Sequence, residues 1–459
     1  MNASNPEPEV PKDPYKLIKW LIWCYFLLLI YEGALRKWIL PGLANPLLIV
    51  RDPVVILIYL LALSKGAFPD DGLVAWINGM GILTFLVSLV AGSGNILVSI
   101  YGWRTDFLHL PLIFLMGKVL NAKDVKRLCI GLLLTAIPMA FLVMVQFKSS
   151  PTAWVNAGVG GSEGGQLDVG FGKIRPPGTF SFTNGLANYV SLVAACLLYA
   201  VIERKYYPKW LLFSAAPAVM LMITISGSRA TVSAVVVSVA FLALVCLRYP
   251  SYIGGSFKFV LLALPGLWLV MSLPVFQEGI MVHTKRFGEA GGGVQHGIVE
   301  RTFSDYLNGI YAVADTPFFG MGLGMGTNAA AGMLGNGQRT FLLAEGEWER
   351  VVKEGGPVFG LGFLLLRVAM AAYIGLICMG ALGRKNPLPL MILSACLLPV
   401  LNAQFGQPTA LGFAVFGAGL CLGAVNEAVE AIPRLQPIRT LQRGPRGRSI
   451  HAEMLHGSK

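Results

Sequence analysis

The sequence predicts an all-α polytopic membrane protein with about 12 transmembrane helices, and three observations predict it. Of 459 residues, 55% are hydrophobic and only 13% charged, with a mean hydropathy of +0.65; a soluble domain is about a quarter charged. The apolar residues gather in runs long enough to span a bilayer, which takes about 20 residues per helix. The cations are spaced between those runs as an inside–outside bias requires. The same numbers exclude disorder, coiled coil, collagen and small disulfide scaffolds. They leave a formal net charge of +12 to explain. In a membrane protein that is first a question of sides rather than of nucleic acid, and no nucleic-acid partner is expected.

Residues 1–19 are polar, with Lys12, Lys16 and Lys19 ahead of the first apolar run. No small-residue cleavage site follows, so the first span reads as retained and the N-terminus as cytoplasmic. The runs place spans at 17–31, 43–64, 73–91, 106–120, 128–147, 185–202, 210–226, 230–247, 258–275, 356–382, 388–404 and 408–427. Twelve spans put Lys65, Lys123–Arg127, Arg204–Lys209, Arg248 with Lys258, and Arg384–Lys385 in cytoplasmic loops. One span more or fewer in the middle breaks that agreement. Residues 1–430 thus read as a single integral membrane domain, and 431–459 as a basic, disordered cytoplasmic tail.

Two segments are too long and polar to be connectors, 148–184 and 276–355, and both fall on the outer side. In the second, Phe303, Leu307, Ile310 and Tyr311 recur at helical spacing within 300–314. That is a short amphipathic helix, lying on the membrane or capping a cavity. The seven cysteines lie within spans without paired spacing and the five histidines form no ligand cluster, so neither disulfide, metal site nor cofactor is expected.

The cations left outside or within spans are ten arginines against five lysines: Arg36, Arg51, Arg104, Arg175, Arg229, Arg286, Arg301, Arg339, Arg350 and Arg367 are the arginines. A topology signal needs only positive charge, whereas phosphate recognition favours the planar, bidentate guanidinium. Arg51 and Arg367 fall in apolar runs, where a charge costs about 3 kcal/mol or more. Arg51 has Asp52 beside it and Arg104 has Asp106 nearby, so salt-bridged structural pairs account for any one of them. Ten on the face that should be depleted point to an anionic ligand. Arg229 is the sharpest case. In Thr224-Ile-Ser-Gly-Ser-Arg-Ala-Thr231, Gly227 permits a tight break between two spans, and the next helix offers free N–H groups and a positive dipole.

Arg175-Pro-Pro-Gly-Thr-Phe-Ser-Phe-Thr-Asn-Gly-Leu-Ala-Asn188 resembles a segment of bacterial O-antigen ligases and polysaccharide polymerases. Ser226-Gly-Ser-Arg229 looks like a turn of that superfamily, and Thr316-Pro-Phe-Phe-Gly-Met-Gly-Leu-Gly-Met-Gly326 is similar to its glycine-rich stretch. Glu354-Gly-Gly-Pro-Val-Phe-Gly360 resembles the opening of the helix after its large outer loop. Tyr31–Pro41 and Arg51-Asp-Pro53 resemble the exopolysaccharide polymerase branch. The likeness covers roughly residues 30–370, and the order of the motifs carries more of it than any single one.

The resemblance implies a membrane-embedded glycosyltransferase of the C type at the outer face of the bacterial inner (cytoplasmic) membrane, its N- and C-termini cytoplasmic. It would polymerise undecaprenyl-pyrophosphate-linked oligosaccharides into an exopolysaccharide or O-antigen-like chain, with a flippase and a chain-length regulator as partners besides the lipid bilayer. Ligase-type transfer to lipid-A core or protein is the sibling reading. A transporter or flippase of lipid-linked sugars is the reading of another class, which internal repeats would favour; none is visible. One position departs from the family: nine residues before Glu354, where members often carry histidine, stands Glu345.

In the implied reaction an acceptor hydroxyl attacks the anomeric carbon. Pyrophosphate leaves without a general acid but benefits from preorganised positive charge. Arg175, Arg229, Arg339 and Arg350 are the candidates for that charge, with Arg36 and Arg51 as further substrate-binding candidates. Glu345, then Glu347, is the candidate base. Direct displacement inverts the anomeric configuration, and no metal is invoked. The ordinary role of this acidic run is to complement a helix N-terminal dipole. Trp348 and Asn184 are candidate sugar contacts, although an interfacial aromatic is the commoner use of such a tryptophan. The glycines at 320, 322, 324 and 326 follow no strand; they read as permitting close backbone approach, not as a nucleotide loop.

Overall fold

The computed structural model describes residues 13–92, 95–162, 166–170, 172–254, 264–266, 268, 271–288, 304–334, 343–344 and 346–426. Arg301, Arg339, Glu345, the 431–459 tail and most of the ninth apolar run lie outside them. The described residues are overwhelmingly helical, with one short antiparallel pair, β1 (Asp168–Gly170) and β2 (Lys173–Ile174), in the first long loop. Seven helices among them are long and apolar enough to cross a membrane, and three further apolar helices are shorter. Length and composition together mark an all-helical membrane protein, as the apolar fraction requires.

The chain runs through α1 (Lys16–Ala34), α2 (Asp52–Ser64), α3 (Gly72–Ala91), α4 (Ile96–Trp103), α5 (Pro111–Val119) and α6 (Ala122–Lys148). After the first long loop come α7 (Thr183–Ile202), α8 (Lys209–Ile225) and α9 (Arg229–Arg248). The second long loop contributes α10 (Pro274–Gly288), a helix α11 over 304–311, and α12 (Asn328–Leu334). Then follow α13 (Glu347–Gly383), α14 (Leu388–Asn402) and α15 (Pro408–Gly423).

Several boundaries differ from the sequence expectation for local reasons. Residues 35–39 and 104–108 form π turns, which add a residue per turn and re-aim side chains. Each brings charged residues into the interior: Arg36 and Lys37 in the first, Arg104 and Asp106 in the second. Helix precedes the run expected to open at 106, starting at Ile96, where the Asn95 side chain accepts from the Leu97 and Val98 amides. The helix expected from 356 begins at Glu347, because Gly356, at φ 70°, breaks α13 without ending it.

Helix α7 sits at the centre, with 83% of its apolar window inside the protein, while α9, at 17%, is peripheral. Around α7 pack α6, α8, α9, α14 and α15. Small residues let α15 approach its neighbours: a methyl on Gly417 would lie 2.6 Å from Cys396 Cβ, and one on Gly419 2.9 Å from Met116 Cβ. Buried cysteines also meet across helices, Cys129 and Cys196 with sulfurs 3.0 Å apart, a proximity that sequence spacing does not reveal.

Candidate anion-binding cavity

The arginines divide by environment. Arg51 and Arg367 are buried completely, and Arg36, Arg104 and Arg350 nearly so. Their partners are not their sequence neighbours. Arg51 Nε donates to Glu32 at 3.1 Å, and Nη1 to the Tyr25 hydroxyl at 3.3 Å. Arg104, not Arg51, holds Asp52, and Arg350, not Arg104, holds Asp106, at 2.9 Å. Residues one or two apart on a helix face different directions, so the adjacent pairs suggested by the sequence do not form.

Two ionic clusters result. In the first, Arg36, Arg51 and Arg104 surround Glu32 and Asp52, and His109 bridges Asp52 (3.0 Å) to Tyr25 (3.3 Å). Arg36 also donates to Ala44 O and to Ser181 Oγ of the Arg175–Asn188 segment. In the second, Arg350 contacts Asp106, Glu347 and Glu354, each at 2.9 Å. Arg367 reaches Glu347 at 2.7 Å, donates to the Val400 and Ala403 carbonyls and lies 3.8 Å over the Phe405 ring. Three arginines against two acids, then two against three, leave the pair neutral overall.

These contacts reassign several sequence candidates. Glu347 accepts from Arg350, Arg367 and the Phe405 amide. A carboxylate so occupied is an anchor for two buried cations and not a free base. Arg36, Arg51 and Arg350 are likewise consumed by internal acids, so their charge is already answered. Trp348 donates Nε1 to Leu401 O and packs edge-to-face on Tyr306 at 4.6 Å, which makes it a packing residue.

The glycine-rich stretch does allow close backbone approach. Glu354 accepts from the Gly324 and Gly326 amides at 2.9 and 2.8 Å. A methyl at Gly324 would sit 2.4 Å from Val98 O, and one at Gly320 2.2 Å from Glu354 O. The Arg175–Asn188 segment is mostly scaffold too: the Gly178 carbonyl takes bonds from Lys37 and Gln146, Thr179 bonds Ile30 O, and Phe180 is buried against Tyr189 and Phe413. Arg175 is half-buried, with Nε lacking a partner among the described residues.

Arg229 lines a cavity of about 400 Å³ between α7, α9, α14 and the start of α15. Gly227, at φ 55°, makes the turn, Ser228 caps α9 by accepting from the Thr231 amide, and Arg229 is the first helical residue. Asn184 stands at the same cavity, its amide donating to Gln407 at 3.3 Å. Arg175 is not among the lining residues.

Three helices present their N-terminal ends to this cavity, through Asn184 of α7, Arg229 and Ala230 of α9, and Gln407 and Ala410 of α15. Neither α7 nor α15 has a side-chain cap, and the positive dipole end of each lies at the cavity. Asn188, Asn402 and Gln404 complete a polar upper rim. Below it the lining turns small or apolar, down to Val237 of α9 and Ser394 of α14, about 12 Å deeper at 1.5 Å per residue. The hydrogen bond of Ser394 to Ser238 lies at that depth.

Of the rim, Asn188, Asn402, Gln404 and Gln407 were missed by sequence reasoning, although Asn402-Ala-Gln-Phe-Gly-Gln407 is a legible polar break between two apolar runs. So was Asp305, half-buried on α11. Burial, and then the Glu347 charge, push its carboxyl up to about 6. Among the described residues no group of three His, Cys, Asp or Glu is placed to hold a metal ion. Set against known proteins, the chain matches no family model and no curated protein.

Proposed function

We propose that this protein is a membrane glycosyltransferase that takes a lipid-pyrophosphate-linked glycan at the loop-bearing side of a bacterial inner membrane and joins such units into a polysaccharide. The observation that carries the reading is the cavity in which Arg229 and three helix N-terminal ends converge above a lining of small and apolar residues. A pyrophosphate is the anion such a rim suits, since dipole ends and a guanidinium both favour negative charge. Twelve spans with both termini cytoplasmic place that rim, and both long loops, outside. Residues 1–430 then act as one membrane domain.

In this mechanism the acceptor hydroxyl attacks the anomeric carbon and gives its proton to a carboxylate. The bond from that carbon to the pyrophosphate oxygen breaks, and the lipid pyrophosphate leaves with its negative charge. Arg229 and the amides around it meet that charge as it develops, which is worth several kcal/mol in a water-poor site. With Glu347 engaged, Glu345 is the base the sequence leaves, and inversion follows from a single displacement. Arg175 and Arg339 remain candidates for the glycan or phosphate.

The test is reconstitution of the full-length protein with lipid-linked oligosaccharide, followed by product sizing. Arg229→Ala is expected to lower turnover by about 100-fold or more, with Arg229→Lys intermediate. Longer glycans that vanish in Arg229→Ala and Glu345→Gln support the reading. Full activity in Glu345→Gln removes that residue as base. Movement of lipid-linked sugar between leaflets without new glycosidic bonds overturns the enzyme in favour of a transporter.

A further inference from the structure

The polarity of α11 is turned inside out. Asp305, Gly309 and Ala312 face the protein; a methyl on Gly309 would stand 2.6 Å from Trp348 Cβ, and Ala312 is buried. Of the stripe at helical spacing, Phe303 lies outside the described residues, while Leu307, Ile310 and Tyr311 point away with Asn308 beside them, Tyr311 67% exposed. Folding in water puts such a stripe inward and the carboxylate outward. After α11 the chain adds Phe318 and Phe319, both exposed and edge-to-face at 5.0 Å.

The position of this patch is fixed by close backbone contacts. Gly322 lies against Gly92 just beyond α3, Gly324 against Gly102 in α4, and the Phe318 carbonyl against Gly356 in α13. At those points the three helices carry exposed apolar side chains of their own, Val90, Leu97 and Val358. The patch therefore continues the exposed apolar surface of α3, α4 and α13, two of which are long and apolar enough to cross a membrane.

We infer that α11 and the Phe318–Phe319 turn are seated in the interfacial layer of the bilayer on the loop-bearing side, with lipid covering Leu307, Ile310, Tyr311, Phe318 and Phe319. Aromatic and aliphatic side chains at the headgroup boundary are the usual lining of such a contact. The seat holds the glycine stretch, and through the Glu354 contacts the start of α13, at a constant depth. It rests on the membrane character of the chain and not on the glycosyltransferase reading.

Spin labels at Ile310→Cys, Phe318→Cys and Asp315→Cys, in full-length protein in phosphatidylcholine nanodiscs, test it. The unsubstituted protein is labelled in parallel to subtract its seven native cysteines. Expected is stronger broadening by oxygen than by a water-soluble nickel chelate at 310 and 318, and the reverse at 315, which is polar and exposed. Nickel dominance at 310 and 318 overturns the proposal by placing the patch in water. Protection from both reagents overturns it as well, by placing a second copy or another protein there. If either variant fails to elute as folded protein, Leu307→Cys replaces it with the same expected outcome.

Discussion

Arg367 sits among α13 and α14 with no exposed surface and one full counter-charge, Glu347. Desolvating a guanidinium is tolerable only while that partner and the carbonyl acceptors stay in place. Arg367→Met removes one member and leaves Glu347 beside Arg350 alone; the expected loss is about 3–5 kcal/mol. It should appear as a lower melting temperature in detergent, with Arg367→Lys recovering only part, since a lysine cannot spread over Glu347, three carbonyls and the Phe405 ring. Asp305 gives a pH dependence of the opposite sign to most acids. Its folded value of about 6 lies above the ordinary 3.8, so the native state favours the protonated form. That contribution is complete below about pH 3.8 and is lost as pH climbs through 6. Melting curves between pH 4 and 7 should therefore fall with pH more steeply in the native protein than in Asp305→Asn.

Elements here are positioned by backbone fit as much as by apolar stripes. The glycine stretch before α12 threads between α4 and α13, and Gly324 adopts φ 86° where an alanine would meet Val98 O at 2.4 Å. Gly324→Ala is expected to cost at least about 1–3 kcal/mol from backbone conformation alone. Gly42→Ala, with open space around it, should stay within about 0.5 kcal/mol of the parent. Thermal unfolding of the two side by side checks the difference; equal stability would mean that the stretch is free to move off α4. The π turns at 35–39 and 104–108 matter similarly, because the charged residues they carry are buried in the interior.

At the scale of the whole molecule, positive charge is divided between topology and structure. The lysines between the apolar runs are expected to set topology, whereas the buried arginines answer to buried acids in two clusters whose formal charges cancel. Arg229 instead faces a cavity, together with Asn184. A topology reporter fused after Gly292 is expected to read as extracytoplasmic, and one fused after Lys126 as cytoplasmic. A cytoplasmic reading at 292 would move the Arg229 rim to the wrong side for a lipid-linked donor delivered outside.

The sequence by itself determined the class of the molecule. Low charge density, long apolar runs and cations spaced between them leave an α-helical membrane protein as the economical outcome, because backbone polar groups in lipid must bond within their own helix. It also pointed to Arg229, since a Gly-Ser-Arg break between two apolar runs forces a helix to begin there. What only the tertiary structure decided was which arginines are spoken for. Pairing of Arg51 with Glu32, Arg104 with Asp52 and Arg350 with Asp106 spans 19, 52 and 244 residues, distances over which local pattern carries no signal. Glu347 reads the same in sequence whether it is a base or an anchor. It becomes an anchor because Arg367, twenty residues on, and the Phe405 amide from the α14–α15 turn converge on its two oxygens, and convergence is a property of packing.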